Sequence, residues 1–323
     1  MSESYIFLKG GIKSMIILAV VLLIFFSLLQ SENPERKIGF YKLKKQKIPI
    51  SIPFKMINGK PVMNAKLNGI DAKLMIDNGR LWDQIWLFGT PLADNFVLKE
   101  NVVGNIGGAG SGQTSRSDYA ENLTLDFKPV CFYEQEAFIS SASDGFTRMF
   151  PGVDGQISNT FFGHFVVQFD FIKNKILLFP PDQFKIKGEY TVVDMTPEKG
   201  GAYSIPISIT LEDGRTISKQ ADLDFGGIHI LLIGLNNENR ISCPTTAKKQ
   251  KSFGVQGECE EFSGKIRELK IDNQTLEYPS VVFSDEKNAV VTPNNLGIIG
   301  LPLFMKYHTA FDYFNNKLYL IKK

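Results

Sequence analysis

The sequence predicts an all-β protein built from two homologous lobes, and three observations support this fold class. Short strands and tight turns run from about residue 48 to the C-terminus, and two of the first turns are Asn-Gly. The residues near the end of each half follow the same pattern, and Gly297 lies 142 positions after Gly155. Asp312 likewise lies 142 positions after Asp170. Each half also contains an extended apolar run that ends in Asp-x-Gly. A long period that occurs twice indicates two lobes, and not a solenoid.

Composition is consistent with a folded, two-lobed chain. The protein has 323 residues, of which 43% are hydrophobic and 22% are charged. This length allows two domains of ordinary size, each with its own core. The formal net charge of +2 gives no reason to expect nucleic acid as a partner.

The N-terminus predicts a signal peptide or membrane anchor over residues 1–30, followed by a basic linker over residues 31–47. The uncharged apolar run at residues 15–29 is short for a spanning helix and follows Lys9 and Lys13, as a signal segment does. We therefore expect an exported or membrane-anchored protein, located in the periplasm, the cell envelope or outside the cell. Basic residues downstream leave its orientation and cleavage open.

The two predicted lobes cover residues 48–182 and 183–323. In the first lobe, Ile50 and Ile52 alternate with other residues as in a half-buried strand. Asn58-Gly59 and Asn68-Gly69 predict two tight hairpin turns, and the strand after the second turn leads to Asp77. Pro180-Pro181 marks the region where the lobes join.

A glycine-dense segment at residues 104–112 has two interpretations besides a plain surface loop. A nucleotide-binding loop is disfavoured, because neither Gly-x-Gly-x-x-Gly nor Gly-Lys-Ser/Thr is present and a strand at residues 122–125 follows in place of a helix. A mobile hairpin or flap that covers a binding site fits better. The predicted flap and substrate-binding residues are Gly107, Gly108, Gly110 and Gly112.

The two Asp-x-Gly motifs supply the candidate catalytic acids. A single Asp at such a position is commonly a turn residue, so only the duplication favours catalysis. Two carboxylates about 3 Å apart share one proton, so that one can activate a water while the other polarises a carbonyl group. Asp222, on the same strand, is expected to be a neighbouring acid at the surface or behind the site. The candidate residues are the acids Asp77 and Asp224 and the active-site loop residues Asn78, Gly79, Phe225 and Gly226.

Other reactive residues are expected to be structural. Asp170 and Asp312 each precede a polar Asn-Lys turn, which favours a turn role. Cys131 is expected to be a buried thiol, whereas Cys243 and Cys259 lie in one lobe and their pairing is left open. The dispersed histidines have no metal-ligand spacing, and no Ser/His/Asp triad can be assembled. No metal and no cofactor are predicted.

The order of these elements resembles the retropepsin-like aspartic proteases, in the bilobal layout of pepsin. The resemblance extends from about residue 48 to the C-terminus. It rests on the Asn68-Gly69 turn before Asp-x-Gly, the glycine-rich segment, and the Gly-Ile-Ile-Gly run at residues 297–300 before the strand at residues 311–317. The resemblance implies a closed β-barrel-like fold in each lobe and a cleft between the lobes. It also implies a monomer in which both lobes supply the dyad, and hydrolysis of protein or peptide substrates without metal or cofactor.

The sequence departs from this family's pattern next to the acids. Asn78 and Phe225 replace the usual Thr or Ser, whose hydroxyl ties the two active-site loops together, and Arg80 replaces a small residue. Asn retains hydrogen-bonding groups in its side chain, whereas Phe has none. Two alternatives to an active aspartic endopeptidase therefore remain. One is a catalytically impaired, protease-like protein of the cell envelope that binds peptides, and the other is a structural envelope protein with unrelated Asp-x-Gly turns.

Overall fold

The computed structural model of the chain describes residues 39–44, 47–79, 85–106, 109, 115–198, 201–235, 240–254, 256–285 and 291–323. The predicted signal or anchor at residues 1–30 lies outside these residues. No helix within the described ranges is both long and apolar enough for a membrane crossing. Residues Ile38–Lys323 form one compact unit. Part of the predicted linker, Phe40–Leu43, is a strand that pairs with residues 130–133. Phe40 of this strand stacks on Tyr133, with 5.1 Å between the ring centroids.

The described residues are mostly β-strand, which confirms the predicted all-β class. The strands of the first half are β1 (Phe40–Leu43), β2 (Ile50–Pro53), β3 (Lys55–Ile57), β4 (Lys60–Leu67), β5 (Ile70–Ile76), β6 (Ile85–Leu87), β7 (Lys99–Ile106), β8 (Ser115–Asp126), β9 (Val130–Ile139), β10 (Gly155–Ile157), β11 (Val166–Asp170) and β12 (Lys175–Phe179). The helices of this half are α1 (Asp144–Met149) and α2 (Asn159–Phe162), with short 3₁₀ helices at Ala93–Asn95 and Pro181–Gln183.

The second half is also mostly β-strand, and its described residues contain one short α-helix. Its strands are β13 (Tyr190–Asp194), β14 (Thr196–Pro197), β15 (Tyr203–Thr210), β16 (Thr216–Asp224), β17 (Leu231–Leu235), β18 (Lys248–Gly254), β19 (Gly257–Lys265), β20 (Glu268–Ile271), β21 (Gln274–Glu277), β22 (Ser280–Asp285), β23 (Gly297–Gly300), β24 (His308–Asp312) and β25 (Lys317–Ile321). Its helix is α3 (Leu301–Phe304).

Three sheets are formed by the described strands. A nine-stranded sheet belongs to the first lobe, in the order β1-β9-β6-β10-β5-β4-β8-β7, with β3 paired to β4 and β8 paired also to β9. A ten-stranded sheet belongs to the second lobe, in the order β18-β19-β22-β17-β23-β16-β15-β20-β21, with β14 paired to β15. The third sheet joins the lobes and has six strands in the order β13-β25-β24-β11-β12-β2.

Both Asn-Gly turns predicted in the first lobe are confirmed. The turn between β3 and β4 has φ of 45° at Asn58 and 83° at Gly59. The turn between β4 and β5 has φ of 49° at Asn68 and 85° at Gly69. Positive φ at both central positions is the conformation of a tight two-residue hairpin turn, and Asn-Gly adopts it at little cost.

The internal repeat corresponds to equivalent strands in the two halves. The separation of equivalent residues changes from 142 to 147 positions within one hairpin. Val62 of β4 faces Met75 of β5, whereas Ser204 of β15 faces Asp222 of β16. The first members of these pairs are 142 residues apart and the second members are 147 residues apart. The second hairpin is therefore five residues longer than the first. This accounts for the 147-residue separation of Asp77 and Asp224.

The lobes are joined by an antiparallel pairing of equivalent strands in the six-stranded sheet. Gln168 of β11 faces Ala310 of β24, and these residues are 142 positions apart. On either side, Val167 faces Phe311 and Phe169 faces Thr309. Because the register is symmetric about the Gln168–Ala310 pair, the two repeats are related by an approximate two-fold axis at that point.

All three cysteines are free thiols in this structure. Cys131 and Cys259 are buried and Cys243 is half-buried. The thiol state expected for Cys131 agrees with the structure, and the Cys243–Cys259 pairing that the sequence left open is not formed.

Candidate active site

The two candidate acids stand at the ends of equivalent central strands. Asp77 directly follows β5, and its backbone N–H donates to the carbonyl oxygen of Ile157 in β10 at 3.0 Å. Asp224 is the last residue of β16 and lies in register with Gly300 of β23. β10 and β23 each run parallel to the acid-bearing strand. The same strand pairing thus fixes the backbone of both acids.

The two carboxyl groups approach each other across the lobe boundary, because a Cβ atom placed on Gly79 would lie 2.8 Å from Asp224 Oδ1 and 3.4 Å from Asp77 Oδ1. Each also accepts a hydrogen bond within its own loop, Asp77 from the Gly79 N–H at 2.9 Å and Asp224 from the Gly226 N–H. A Cβ atom on Gly226 would lie 2.5 Å from Asp224 Oδ1 and 3.0 Å from Asp77 Oδ2. Only glycine therefore leaves room for the carboxylate pair at this position.

The surroundings of Asp224 favour its protonated form. Burial, followed by the charge of Asp77, raises the pKa of Asp224 well above its ordinary value, while the nearby Lys60 opposes this shift. Two carboxyl groups this close together share a proton, because both cannot be ionised cheaply. The pair thus presents one proton donor and one proton acceptor in the same place.

Asn78 ties the two active-site loops together. Its side chain is fully buried, and Oδ1 accepts a hydrogen bond from the Phe225 backbone N–H at 2.8 Å. Its Nδ2 donates to the Tyr313 hydroxyl at 3.0 Å. Burial is the main reason that the pKa of Tyr313 is raised above its ordinary value, so this phenol remains neutral. The amide of Asn78 thus makes a bond between the loops without a hydroxyl group.

Phe225 has a packing role. Its side chain is fully buried, and its ring centroid lies 4.6 Å from that of Phe169, 5.2 Å from Phe304 and 5.3 Å from Phe311. Such aromatic neighbours contribute through apolar burial and edge-to-face contact. The second loop is therefore held by an aromatic cluster in place of a side-chain hydrogen bond.

Lys60 is a site residue that the sequence did not indicate. It is the first residue of β4, is only 4% exposed, and reaches from the first lobe to the loop that follows β16. Its ammonium donates to the carbonyl oxygens of Phe225, at 2.8 Å, and Gly226. Burial lowers the pKa of Lys60, whereas the charges of Asp224 and Asp77 act in the opposite direction. A lysine between a turn and an apolar strand is usually solvated, so the local sequence carries no signal of this role.

His229 is the second site residue that sequence reasoning missed. Its Nε2 atom is buried and has no hydrogen-bond partner in the described structure. Burial and, to a smaller extent, the charge of Lys60 lower the pKa of His229 to about 3. The imidazole is therefore neutral at pH values well above 3.

The predicted flap is only partly described. β7 and β8 form an antiparallel hairpin, as expected, but Gly107, Gly108, Gly110 and Gly112 lie outside the described residues, and so does Arg80. The described residue Ala109, between these strands, accepts a hydrogen bond from the Gln256 N–H at 3.1 Å. Gln256 belongs to the turn between β18 and β19 of the second lobe. The hairpins of the two lobes therefore touch.

The remaining acids have structural surroundings. Asp222 is buried and is therefore not a surface acid. Its carboxylate accepts hydrogen bonds from the Thr292 N–H and from Asn295 Nδ2, each at 2.6 Å. Asp170 accepts from two backbone N–H groups of the turn after it, and Asp312 binds the turn residue Asn315. Within the described ranges, no group of three or more His, Cys, Asp or Glu side chains is placed to hold a metal ion.

Comparison with known proteins gives a similarity of fold. No protein-family model matches the sequence, and no curated protein matches it. Among solved structures, the chain is similar to the aspartic proteinase from Irpex lacteus, with a TM-score of 0.54 and 17% sequence identity. The match covers 85% of this chain and 97% of that chain. The protein therefore has a mostly β structure that resembles the bilobal aspartic proteinase fold.

Proposed function

We propose that this protein is an aspartic endopeptidase of the retropepsin-like and pepsin-like type, in which Asp77 and Asp224 form the catalytic dyad. The observation that carries this proposal is the close approach of the two carboxyl groups at the ends of β5 and β16, since oxygens of both lie within 3.0 Å of the position that a Cβ atom on Gly226 would take. The likeness of the fold to an aspartic proteinase supports it further. Each lobe would supply one acid, so a monomer suffices.

The arrangement supports general acid–base hydrolysis of a peptide bond. The ionised carboxylate takes a proton from a water molecule, and the water oxygen adds to the carbonyl carbon of the substrate. The protonated carboxyl group donates its hydrogen bond, and then its proton, to the carbonyl oxygen. When the tetrahedral intermediate collapses and the C–N bond breaks, the carboxyl group that took the water's proton gives it to the departing amine nitrogen. The other carboxylate takes a proton from a hydroxyl group of the intermediate as the carboxylic acid product forms. The dyad is then restored with one shared proton.

Other parts of the chain have expected roles in this reaction. The β7–β8 hairpin, with Gly107, Gly108, Gly110 and Gly112, would act as a flap that excludes water from the cleft. A closed, barrel-like sheet in each lobe would give the dyad a rigid base, and the pairing of β8 with both β4 and β9 supports this for the first lobe. Residues 1–30 would export the protein or anchor it to the membrane, which places its protein or peptide substrates in the cell envelope or outside the cell.

A second candidate function is peptide binding without cleavage. The observation in its favour is Phe225, which gives the second loop a ring in place of a polar side chain. In that case the cleft would retain a peptide and the dyad would not turn over.

Cleavage of a mixed peptide library by the full chain tests the proposal. The library is incubated from about pH 3 to about pH 8, a range that spans the titration of carboxyl groups, and the products are read by mass spectrometry. Wild-type protein should cleave, a statine-type transition-state mimic should block cleavage, and Asp77→Asn and Asp224→Asn should abolish it with the circular dichroism spectrum retained. Undiminished cleavage by folded Asp77→Asn would overturn the proposal. Binding of the mimic without any cleavage would favour the second candidate.

A further inference from the structure

Lys60 lies in an unusual environment for a lysine side chain. It is 4% exposed, whereas Lys66 on the same strand has a side chain that is 51% exposed and pairs with the surface residue Asp71. Lysine is almost never fully buried unless its charge is paired. The hairpin turn before Lys60 and the apolar strand after it would permit a solvated side chain, but its ammonium instead bonds to residues of the second lobe.

The contacts of Lys60 lie across the lobe boundary. Its ammonium bonds to two consecutive carbonyl oxygens, those of Phe225 and Gly226, in the loop that carries Asp224. An ammonium group that is removed from water is strongly disfavoured unless acceptors and negative charge surround it. The two carbonyl oxygens and the neighbouring carboxylate pair provide both.

We propose that Lys60 is a positioning residue of the active site, which fastens the Asp224 loop to the first lobe and sets a positive charge beside the carboxylate pair. This inference rests on the proposed peptidase function. Together with the bond from Asn78 to Phe225, it gives the second loop polar ties on both its N–H and its C=O groups. Lys60 thereby supplies the anchorage that the side chain of Phe225 cannot.

Other groups that titrate near the pair do not replace this charge. Asp77 and Asp224 are the acids themselves, His229 in the loop after β16 stays neutral because burial lowers its pKa to about 3, and Tyr313 after β24 stays neutral because burial raises its pKa. The positive charge of Lys60 opposes the rise in the pKa of Asp224.

This placement has a consequence for pH. A positive charge beside a proton-sharing pair favours loss of the proton, so it moves the working range of the pair toward lower pH. Removing the charge should move both limbs of the pH profile to higher pH. A purely structural role for Lys60 would lower the rate or the stability but would leave the midpoints of these limbs unchanged.

Three variants separate the charge from the hydrogen bonds. Lys60→Arg keeps both, Lys60→Gln keeps an N–H donor without charge, and Lys60→Met keeps neither. Lys66→Gln removes an exposed lysine from the same strand and is the matched control. The measurements are kcat/KM against pH for a library peptide, and carbon NMR titration of isotope-labelled Asp carboxyl groups in the full chain.

We expect both limbs to move to higher pH in Lys60→Gln and Lys60→Met, and to stay in place in Lys60→Arg and Lys66→Gln. Lys60→Met should also lose kcat/KM by about a hundredfold, because a loosened loop misplaces Asp224. A profile of Lys60→Gln that superimposes on the wild type overturns the inference, as does an equal shift in Lys66→Gln. If Lys60→Met does not fold, the Arg and Gln variants decide the question.

The two readouts keep this inference distinct from the proposed function. Wild-type protein that cleaves no peptide contradicts the peptidase function. The NMR titration still shows whether the carboxyl groups of the pair titrate at higher pH once the Lys60 charge is removed. Conversely, cleavage by wild type with unshifted titration in Lys60→Gln contradicts only the role of Lys60.

Discussion

Asn78 Oδ1 in the first lobe lies 2.8 Å from the backbone nitrogen of Phe225 in the second lobe and accepts its hydrogen bond. This bond connects the loops that carry the two acids, although neither residue is the Thr or Ser expected from the family resemblance. The amide also donates to Tyr313, so one side chain binds both the neighbouring loop and the turn that follows β24. The departure at Asn78 therefore preserves the connection between the loops.

Removing this connection should destabilise the protein. Asn78→Ala should lower the free energy of unfolding by about 1–3 kcal/mol, because the Phe225 N–H loses its acceptor inside the protein. Asn78→Thr should lower it less, since a hydroxyl oxygen is able to accept the same bond. Urea titration followed by circular dichroism measures both values. Equal stability of Asn78→Ala and wild type would show that the bond contributes nothing.

Phe225 should resist replacement by the residue that the resemblance suggests. We expect Phe225→Thr to lower the free energy of unfolding by about 3 kcal/mol, because it leaves a cavity among Phe169, Phe304 and Phe311. Phe314→Thr is the control, since Phe314 is 48% exposed and should lose much less. Urea unfolding gives the comparison. A Phe225→Thr variant that is as stable as wild type and cleaves peptides faster would contradict a packing role.

Gly226, two residues after Asp224, should be essential for catalysis because a side chain at this position would meet both carboxylates. A Cβ atom at Gly226 would press on both carboxylates, whereas one at Gly234 would meet its nearest atoms at 3.7 and 3.8 Å. We expect Gly226→Ala to remain folded and to lose about a hundredfold in kcat, as a displaced catalytic group does. Gly234→Ala should keep the wild-type rate. Similar kcat values for the two variants would refute the steric argument.

His229 should make the protein sensitive to acid. Burial lowers its pKa to about 3 in the folded protein, from about 6.5 when unfolded. Between these values the unfolded state binds more protons, so the stability contribution is complete above about pH 6.5 and is lost as pH falls toward about 3.

Replacing His229 by a residue that does not titrate removes this effect. His229→Leu should therefore unfold at a higher temperature than wild type at about pH 4, with a smaller difference at about pH 7.5. Scanning calorimetry at the two pH values measures the unfolding temperatures. The reverse order, with the larger gain at neutral pH, would exclude a buried neutral histidine as the cause.

Local signals in the sequence were sufficient to predict much of the fold and the position of the acids. The Asn58-Gly59 and Asn68-Gly69 turns formed as predicted, because these residue types adopt positive φ with little strain. The spacing of 142 residues identified equivalent strands, and the structure brings the carboxyl groups of Asp77 and Asp224 close together.

The supports of the acids could not be predicted, because they depend on contacts between distant parts of the chain. Lys60 bonds to Phe225, 165 residues away, and Asn78 bonds to Tyr313, 235 residues away. Lys60 stands in no local pattern that distinguishes it from a surface lysine, and the Asp-x-Gly motif around Asn78 does not record the bond to Tyr313. The unpaired Nε2 of His229 is likewise a result of packing, which no local motif records.

The symmetric pairing of β11 with β24 about Gln168 and Ala310 is the contact that a homodimer of one repeat would make. In such a dimer every substitution appears twice, so each change beside one acid is imposed on the other. A single chain that contains both copies is free of this constraint. Lys60 is an example of such a difference between the copies, because the equivalent residue of the second half, 142 positions later, is Ala202. Fusion of the two halves allows one side of the cleft to carry a charge that its counterpart lacks.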